Sequence, residues 1–479
     1  MSALNRRQFV LAGSAAAAAQ GAQRARERRR YRNVLLLIAD DHSPLAGCYG
    51  NPVIQTPNTD RLAGQGTLFR NAYCTTPSCS ASRSVILTGL HNHTNGQFGH
   101  AHAPANFHTH NDVQSIPRLL QAQGFATGVI GKLHVNPPAV YPWDYQTEGG
   151  PEGGTRDVWG MAQQAEEFFA KFQDRPFYLH VGFGDPHRAS GPGLFANDRG
   201  YPHVRKRTYE PSDVIVPHFL PDTPEVRREL AEHYEAIDRL DQGIGFFLQA
   251  LEESGRAEDT MVIYMSDHGM PFPGAKASHY DTGLHVPLII RTPSQAKRSV
   301  ACDALVNWTD ILPTVMEWTG AGLPASPVHG RSLMPILEEE RPEGWDSIFF
   351  AHSFHEIVNY YPFRGIRTRR FKYTKILFSE LTMPLPSDLW NSPTWEGVRS
   401  RRLAKMGQRL TEDVLHHKGE ELYDIVEDPA ETRNLAGLPE HRATLEDLRR
   451  RVLEFRRQTN DTWLDYFERI EAPPKPMLA

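Results

Sequence analysis

The sequence predicts an α/β protein, a sheet of largely parallel strands flanked by helices. Short continuous apolar runs recur through the first 290 residues, and helical periodicity stands before or after each of them. The first run, residues 33–39, stops abruptly at Asp40-Asp41, as a strand buried on both faces does where it leaves a parallel sheet.

Further strands of this kind are expected at 126–130, 176–181, 261–265 and 286–290. Helices are expected at 59–65, 84–89, 113–122, 162–172, 224–253 and 308–318. The longest carries apolar residues at helical spacing among many charges and should lie on a sheet face. After about Asp346 the pattern changes to short β-type runs at 347–351, 363–368 and 371–376, closed by a helix at 443–457. A chain of 479 residues exceeds one simple core. The expected units are a leader and linker at 1–32, a catalytic domain at 33–345, and a smaller C-terminal α+β domain with its own antiparallel sheet at 346–479.

Hydrophobic residues make up 40% and charged residues 23%, too apolar for a disordered chain. The net charge of -5 gives no overall attraction for polyanions, so nucleic acid is not an expected partner, and an anionic substrate must meet a local positive cluster. Cys48, Cys74, Cys79 and Cys302 show no CxxC spacing and are too few for a disulfide scaffold. Arg6-Arg7 precede an apolar, alanine-rich run that ends near Ala22, an order similar to a twin-arginine export signal, so a periplasmic or secreted protein is expected. No later run approaches the roughly 20 apolar residues of a membrane span, so no membrane association is expected after processing.

Asp40-Asp41 is a hard anionic cluster at a strand end, where α/β sheets place their sites. Ser266-Asp267-His268-Gly269 brings another carboxylate and an imidazole to the equivalent place. Oxygen-rich ligands suit calcium or magnesium, and the histidine widens the choice towards manganese or zinc. Between them in sequence lies Pro77-Ser78-Cys79-Ser80-Ala81-Ser82-Arg83, a nucleophile candidate just ahead of a helix, with a fixed cation four residues on. That pairing fits an anionic sulfuryl or phosphoryl group. A structural, buried cysteine beside a serine-rich helix start is the plainer reading of the same segment.

The stretch from Cys79 through Arg83 to Gly89 resembles the signature of the type I sulfatases, in which the cysteine is oxidised to formylglycine. The family's usual proline two residues after the cysteine is Ala81 here, and His268 stands where relatives often carry asparagine. The resemblance implies an alkaline-phosphatase-like sulfatase fold, a large mixed sheet between helices plus a smaller C-terminal domain. It also implies a hydrated formylglycine at residue 79, one hydroxyl attacking sulfur and the other later expelling sulfate. Asp40, Asp41, Asp267 and His268 match the family's metal ligands, together with the side chain of residue 79. One divalent metal, calcium first, and formylglycine are the cofactors implied. Lys132 and His134 in Gly131-Lys132-Leu133-His134, His187 in Asp185-Pro186-His187-Arg188, and Lys276 match the remaining machinery. Arg83, Lys132 and Lys276 would bind the sulfate, His134 would assist collapse of the hemiacetal, and His187 would protonate the leaving group.

Over roughly residues 33–465 the resemblance is to the N-sulfoglucosamine sulfohydrolases, or sulfamidases. It is carried by Thr88-Gly89-Leu90-His91-Asn92-His93-Thr94-Asn95-Gly96, Asp144, residues 183–188, residues 267–273, and His355-Glu356 ahead of Tyr361-Pro362. It implies removal of the N-sulfate from terminal glucosamine in heparan-type glycans, with Asp185, Arg188 and Glu356 recognising the sugar. The implied partners are a sulfated saccharide and a formylglycine-generating or equivalent maturation enzyme, with a homodimer left open as the assembly. The alternatives are an O-sulfatase acting on sugar or aryl esters, a phosphodiesterase or phosphonate hydrolase of the alkaline phosphatase superfamily, and a non-enzymatic carbohydrate-binding protein.

Overall fold

The computed structural model describes residues 32–189 and 194–464; the expected leader with its paired arginines lies outside the described residues. Strand β1 (Asn33–Ala39) is buried at every position, and its residues alternate between two apolar layers. Val34, Leu36 and Ile38 pack into one, Leu35, Leu37 and Ala39 into the other. A strand apolar on both faces can sit only at the centre of a covered sheet.

The elements that follow are α1 (Pro57–Gln65), β2 (Thr67–Tyr73), α2 (Cys79–Thr88), α3 (Ile116–Ala122), β3 (Ala126–Gly131), β4 (Tyr145–Thr147), α4 (Val158–Lys171), β5 (Phe177–Gly182), α5 (Pro224–Glu253), β6 (Thr260–Ser266), β7 (Leu288–Arg291), β8 (Val300–Asn307) and α6 (Ile311–Thr319). The eight strands form one sheet in the order β4-β3-β5-β1-β6-β7-β2-β8. All pairings are parallel except those of β7, which runs antiparallel to both neighbours, so the last apolar run enters the sheet reversed. Helices α4 and α5 cover one face; α2, α3 and α6 cover the other.

Strands β9 (Ser347–Phe354), β10 (Tyr360–Thr368), β11 (Phe371–Ile376) and β12 (Glu420–Asp424) form a second, antiparallel sheet in the order β12-β11-β10-β9. The helix α8 (Arg442–Gln458) packs Leu445, Leu448 and Val452 onto Ile366 and Tyr373 of this sheet. Phe350, Phe363 and Ile376 share the apolar layer that holds β1, so the two sheets meet in one core. Between β11 and β12 the short helix α7 (Ser387–Trp390) returns to the carboxyl end of the large sheet. No helix of the described residues is long and apolar enough to cross a membrane.

Candidate active site

Strand register places the chemistry. In the β1–β6 pairing Ala39 stands opposite Ser266, so Asp40-Asp41 and Asp267-His268 emerge side by side. On the other side of β1, Gly182 of β5 is opposite Ile38 and Gly131 of β3, which delivers Lys132 and the 185–188 segment to the same edge. The two strand ends touch closely. A Cβ on Gly182 would lie 1.9 Å from the Lys132 carbonyl oxygen, and Gly131 has a φ of +83, so both positions need glycine. Asp41 and His134 also hold left-handed backbone, at φ 64 and 61, conformations that cluster at working sites.

Cys79 is the first residue of α2, not the residue before it, and the whole helix is buried. Its amino end, with the partial positive charge of unpaired N–H groups, therefore faces the strand ends. The Cys79 Sγ lies 3.2 Å from His268 Nε2 and 3.9 Å from Asp41 Oδ1. Burial pushes its thiol well above the ordinary range; Asp41 and Asp40 add to this, while Lys132 and Lys276 oppose it.

Asp40, Asp41, Asp267 and His268 are all buried. His268 Nδ1 faces the Gly269 carbonyl at 3.0 Å, leaving Nε2 turned to Asp41 Oδ1, also at 3.0 Å. Asp40, Asp41 and Asp267 bring carboxylate oxygens within 4.8 Å of one another, as do the donors of Cys79, Asp267 and His268. Three buried carboxylates and one inward-turned imidazole nitrogen fit a divalent cation.

The cations interleave with these acids. Arg83 donates from Nε to Asp267 Oδ2 at 2.9 Å and from Nη2 to Asp40 Oδ1 at 3.3 Å. Lys132 pairs with the other oxygen of Asp40. Burial raises both acids; Lys132, His187 and Arg83 more than reverse this for Asp40, while Asp267 stays above its usual value despite Arg83. The Lys276 Nζ uses its three hydrogens on Asp41 Oδ2 at 2.8 Å, Asp388 Oδ2 at 2.8 Å and His187 Nε2 at 3.0 Å. His187 Nδ1 faces the Arg188 carbonyl oxygen, so Nε2 is the nitrogen turned to the site.

These side chains surround a cavity of about 590 Å³ whose lining includes Cys79, Lys132, His134, His187 and Lys276. Arg188 and Glu356 also line it. Arg188 is clamped by Glu229 and by the Pro271 carbonyl, and its Nη2 is buried without a protein partner. Asp185 does not reach the cavity. It is fully buried, held by Arg239 through two contacts of 2.7 Å and by Arg156 at 3.2 Å, so the expected sugar-recognition role is corrected to a buried ion pair that ties the loop after β5 to α5.

The cavity also contains residues that the sequence did not single out for a role. Asp388 and Ser387, at the start of α7, line it, with Ser387 donating to Glu356. His100, His102 and His355 form one wall beside His134. Pro386-Ser387-Asp388 reads in sequence as an ordinary helix start. The histidine wall carries only the weak signal of two histidines spaced two residues apart.

Carboxylates at parallel strand ends, a helix-borne residue 79 and an interleaved ring of cations define a hydrolase on an alkaline-phosphatase-like fold. The chain belongs to the sulfatase family: the Sulfatase family model matches residues 32–321, and the N-sulphoglucosamine sulphohydrolase C-terminal model matches residues 274–394. It is 37% identical over 464 residues to the N-sulphoglucosamine sulphohydrolase of Homo sapiens, covering 91% of this chain and 92% of that one. An ulvan-active sulfatase of Formosa agariphila is 28% identical, covering 87% of this chain and 78% of that one. A solved structure of a protein bound to its substrate D-glucosamine-2-N,6-O-disulfate shares the fold with a TM-score of 0.63 at 22% identity, covering 90% of this chain and 98% of that one. The phosphonate monoester hydrolase of Agrobacterium radiobacter shares it at 0.66 and 20% identity, over 89% of this chain and 96% of that one. The protein is thus a hydrolase of sulfate esters or sulfamates, and its family generally uses a metal ion and formylglycine.

Proposed function

We propose that the protein hydrolyses the sulfamate of N-sulfoglucosamine at the end of heparan-type glycans, with formylglycine made from Cys79 and one divalent cation, calcium by donor chemistry. The observation that carries the substrate class is where the likeness to N-sulphoglucosamine sulphohydrolase falls. The matched segment 274–394 supplies Lys276, Glu356, Ser387 and Asp388, which line the cavity beyond the carboxylate cluster.

Asp40, Asp41, Asp267 and His268 would hold the cation, which when bound supplies Lewis-acid polarisation of sulfuryl oxygens. Formylglycine supplies a hydroxyl nucleophile in place of a thiol that burial keeps neutral. Arg83 fixes the two carboxylates that flank residue 79, and Lys132 and Lys276 present ammonium groups to an anionic sulfuryl group. His187 Nε2, which accepts from Lys276 in the resting protein, would take up a proton on release from that contact and give it to the departing nitrogen as the S–N electron pair moves onto it. Over the full cycle a sulfamate and one water become an ammonium and sulfate. Arg188 and Glu356, which line the cavity, bind the sugar.

The paired arginines Arg6-Arg7 support export to the periplasm or beyond, which fractionation of expressing cells tests. The substrate reading is tested by a panel of N-sulfoglucosamine, glucosamine 6-sulfate, an aryl sulfate and a phosphate diester. Fastest turnover of the N-sulfate supports it; fastest turnover of an ester or of the diester replaces it with the corresponding alternative.

A further inference from the structure

Asp388 reaches the cavity from α7, 112 residues along the chain from its partner Lys276. One carboxylate oxygen accepts the Leu389 N–H at 3.0 Å, and the other accepts from Lys276 Nζ at 2.8 Å. Its side chain remains 20% exposed, against 1% for Lys276, so lone pairs are left for a ligand. The Asp388 Oδ2 stands 3.9 Å from His187 Nε2.

A leaving atom that takes a proton from His187 must come within roughly 2.6–3.2 Å of Nε2. At this spacing one atom can lie within hydrogen-bond reach of both His187 Nε2 and Asp388 Oδ2. The resting protein shows what such a point accepts. The Lys276 nitrogen occupies one such point, 3.0 Å from His187 Nε2 and 2.8 Å from Asp388 Oδ2, and donates N–H to both, while a leaving atom would take another point at similar distances on the cavity side.

We propose that Asp388 is a specificity-determining residue, which accepts a hydrogen bond from the N–H of a sulfamate leaving group and so favours an N-linked over an O-linked sulfate. The proposal rests on the N-sulfate reading above. A sulfamate nitrogen carries a hydrogen before the bond breaks, and gains a second from His187 as the S–N pair moves onto it. An ester oxygen in that place carries none and would set its lone pairs against the carboxylate. A buried polar group that is satisfied by one substrate and left opposed by another discriminates strongly.

The test measures kcat/KM for N-sulfoglucosamine and glucosamine 6-sulfate on the metal-loaded, matured enzyme, unaltered and as Asp388→Asn and Asp388→Ala. The unaltered enzyme is read first, and ester preference there sinks the N-sulfate reading itself. With N-sulfate preference in place, Asp388→Ala should lose roughly 100-fold more on the N-sulfate than on the ester, the loss common to both substrates reporting the release of Lys276. Asp388→Asn, which keeps an acceptor oxygen but no charge, should fall between. An equal fall on both substrates overturns the proposal and leaves Asp388 as a support for Lys276. Should Asp388→Ala not fold, competitive inhibition of the unaltered enzyme decides: glucosamine binding at least about tenfold tighter than glucose supports the proposal, and equal binding overturns it.

Discussion

The Cys79 Sγ lies 3.2 Å from the Nε2 of His268, a contact between the first residue of a buried helix and the end of the strand beside β1. The proposed nucleophile position and the proposed cation ligands are thereby one cluster. Removing the cation with a chelator should abolish turnover and lower the melting temperature, because three buried carboxylates lose a positive partner. A cation present at 100 times its dissociation constant contributes about 2.7 kcal/mol to stability. Calcium should restore both properties, and full activity after exhaustive chelation would exclude the cation from the reaction.

Lys132→Ala should lose rate by about 100- to 1000-fold, the usual effect of deleting one oriented donor in a reaction site, with a small change in stability. Lys132 pairs with Asp40 but stays 19% exposed, so little packing is lost. Parallel losses in rate and in unfolding free energy would mark Lys132 as structural.

Asp185 and Glu356 should separate cleanly. Asp185→Asn leaves the buried Arg239 and the half-buried Arg156 short of a counter-charge and should cost about 3–5 kcal/mol in denaturant unfolding. Glu356→Ala should leave stability almost unchanged and raise KM for the saccharide, since its side chain lines the cavity. A stable Asp185→Asn protein with altered substrate preference would restore the recognition role that the structure removes.

Acid should destabilise the fold below neutrality. Burial lowers His180 from 6.5 to about 3 and His352 to about 4, so both stay neutral when folded and take up a proton on unfolding. Their contribution is complete above pH 6.5 and is lost as pH falls, towards about 4 for His352 and about 3 for His180, at about 1.4 kcal/mol per pH unit for each. Melting curves between pH 7 and 4 on the unaltered protein, His180→Gln and His352→Gln check this. A dependence on pH that does not weaken in either variant contradicts it.

What the sequence disclosed follows from how local each signal is. Residues 33–39 and 261–265 were legible because a strand buried on both faces must be apolar throughout, and its polar end marks the sheet edge. The long helix was read at both ends because Pro224 opens it and Gly255 follows its close. Strands β2 and β8 were missed because Arg70, Asn71 and Asp303 interrupt their apolar pattern near the sheet edge. The reversal of β7 leaves no trace in composition. Asp185 misled because its partner Arg239 lies 54 residues away, and pairing at that distance is set by packing. Asp388 was invisible for the same reason, as only the return of α7 to the large sheet brings it to Lys276.

The most direct test is sulfate release from N-sulfoglucosamine by the unaltered protein and by Cys79→Ala, both purified from a host able to make formylglycine. Cys79 contributes a nucleophile precursor and little packing, so the variant should fold normally and release no sulfate while the unaltered protein turns over. Equal rates from the two proteins would contradict residue 79 as the source of the nucleophile.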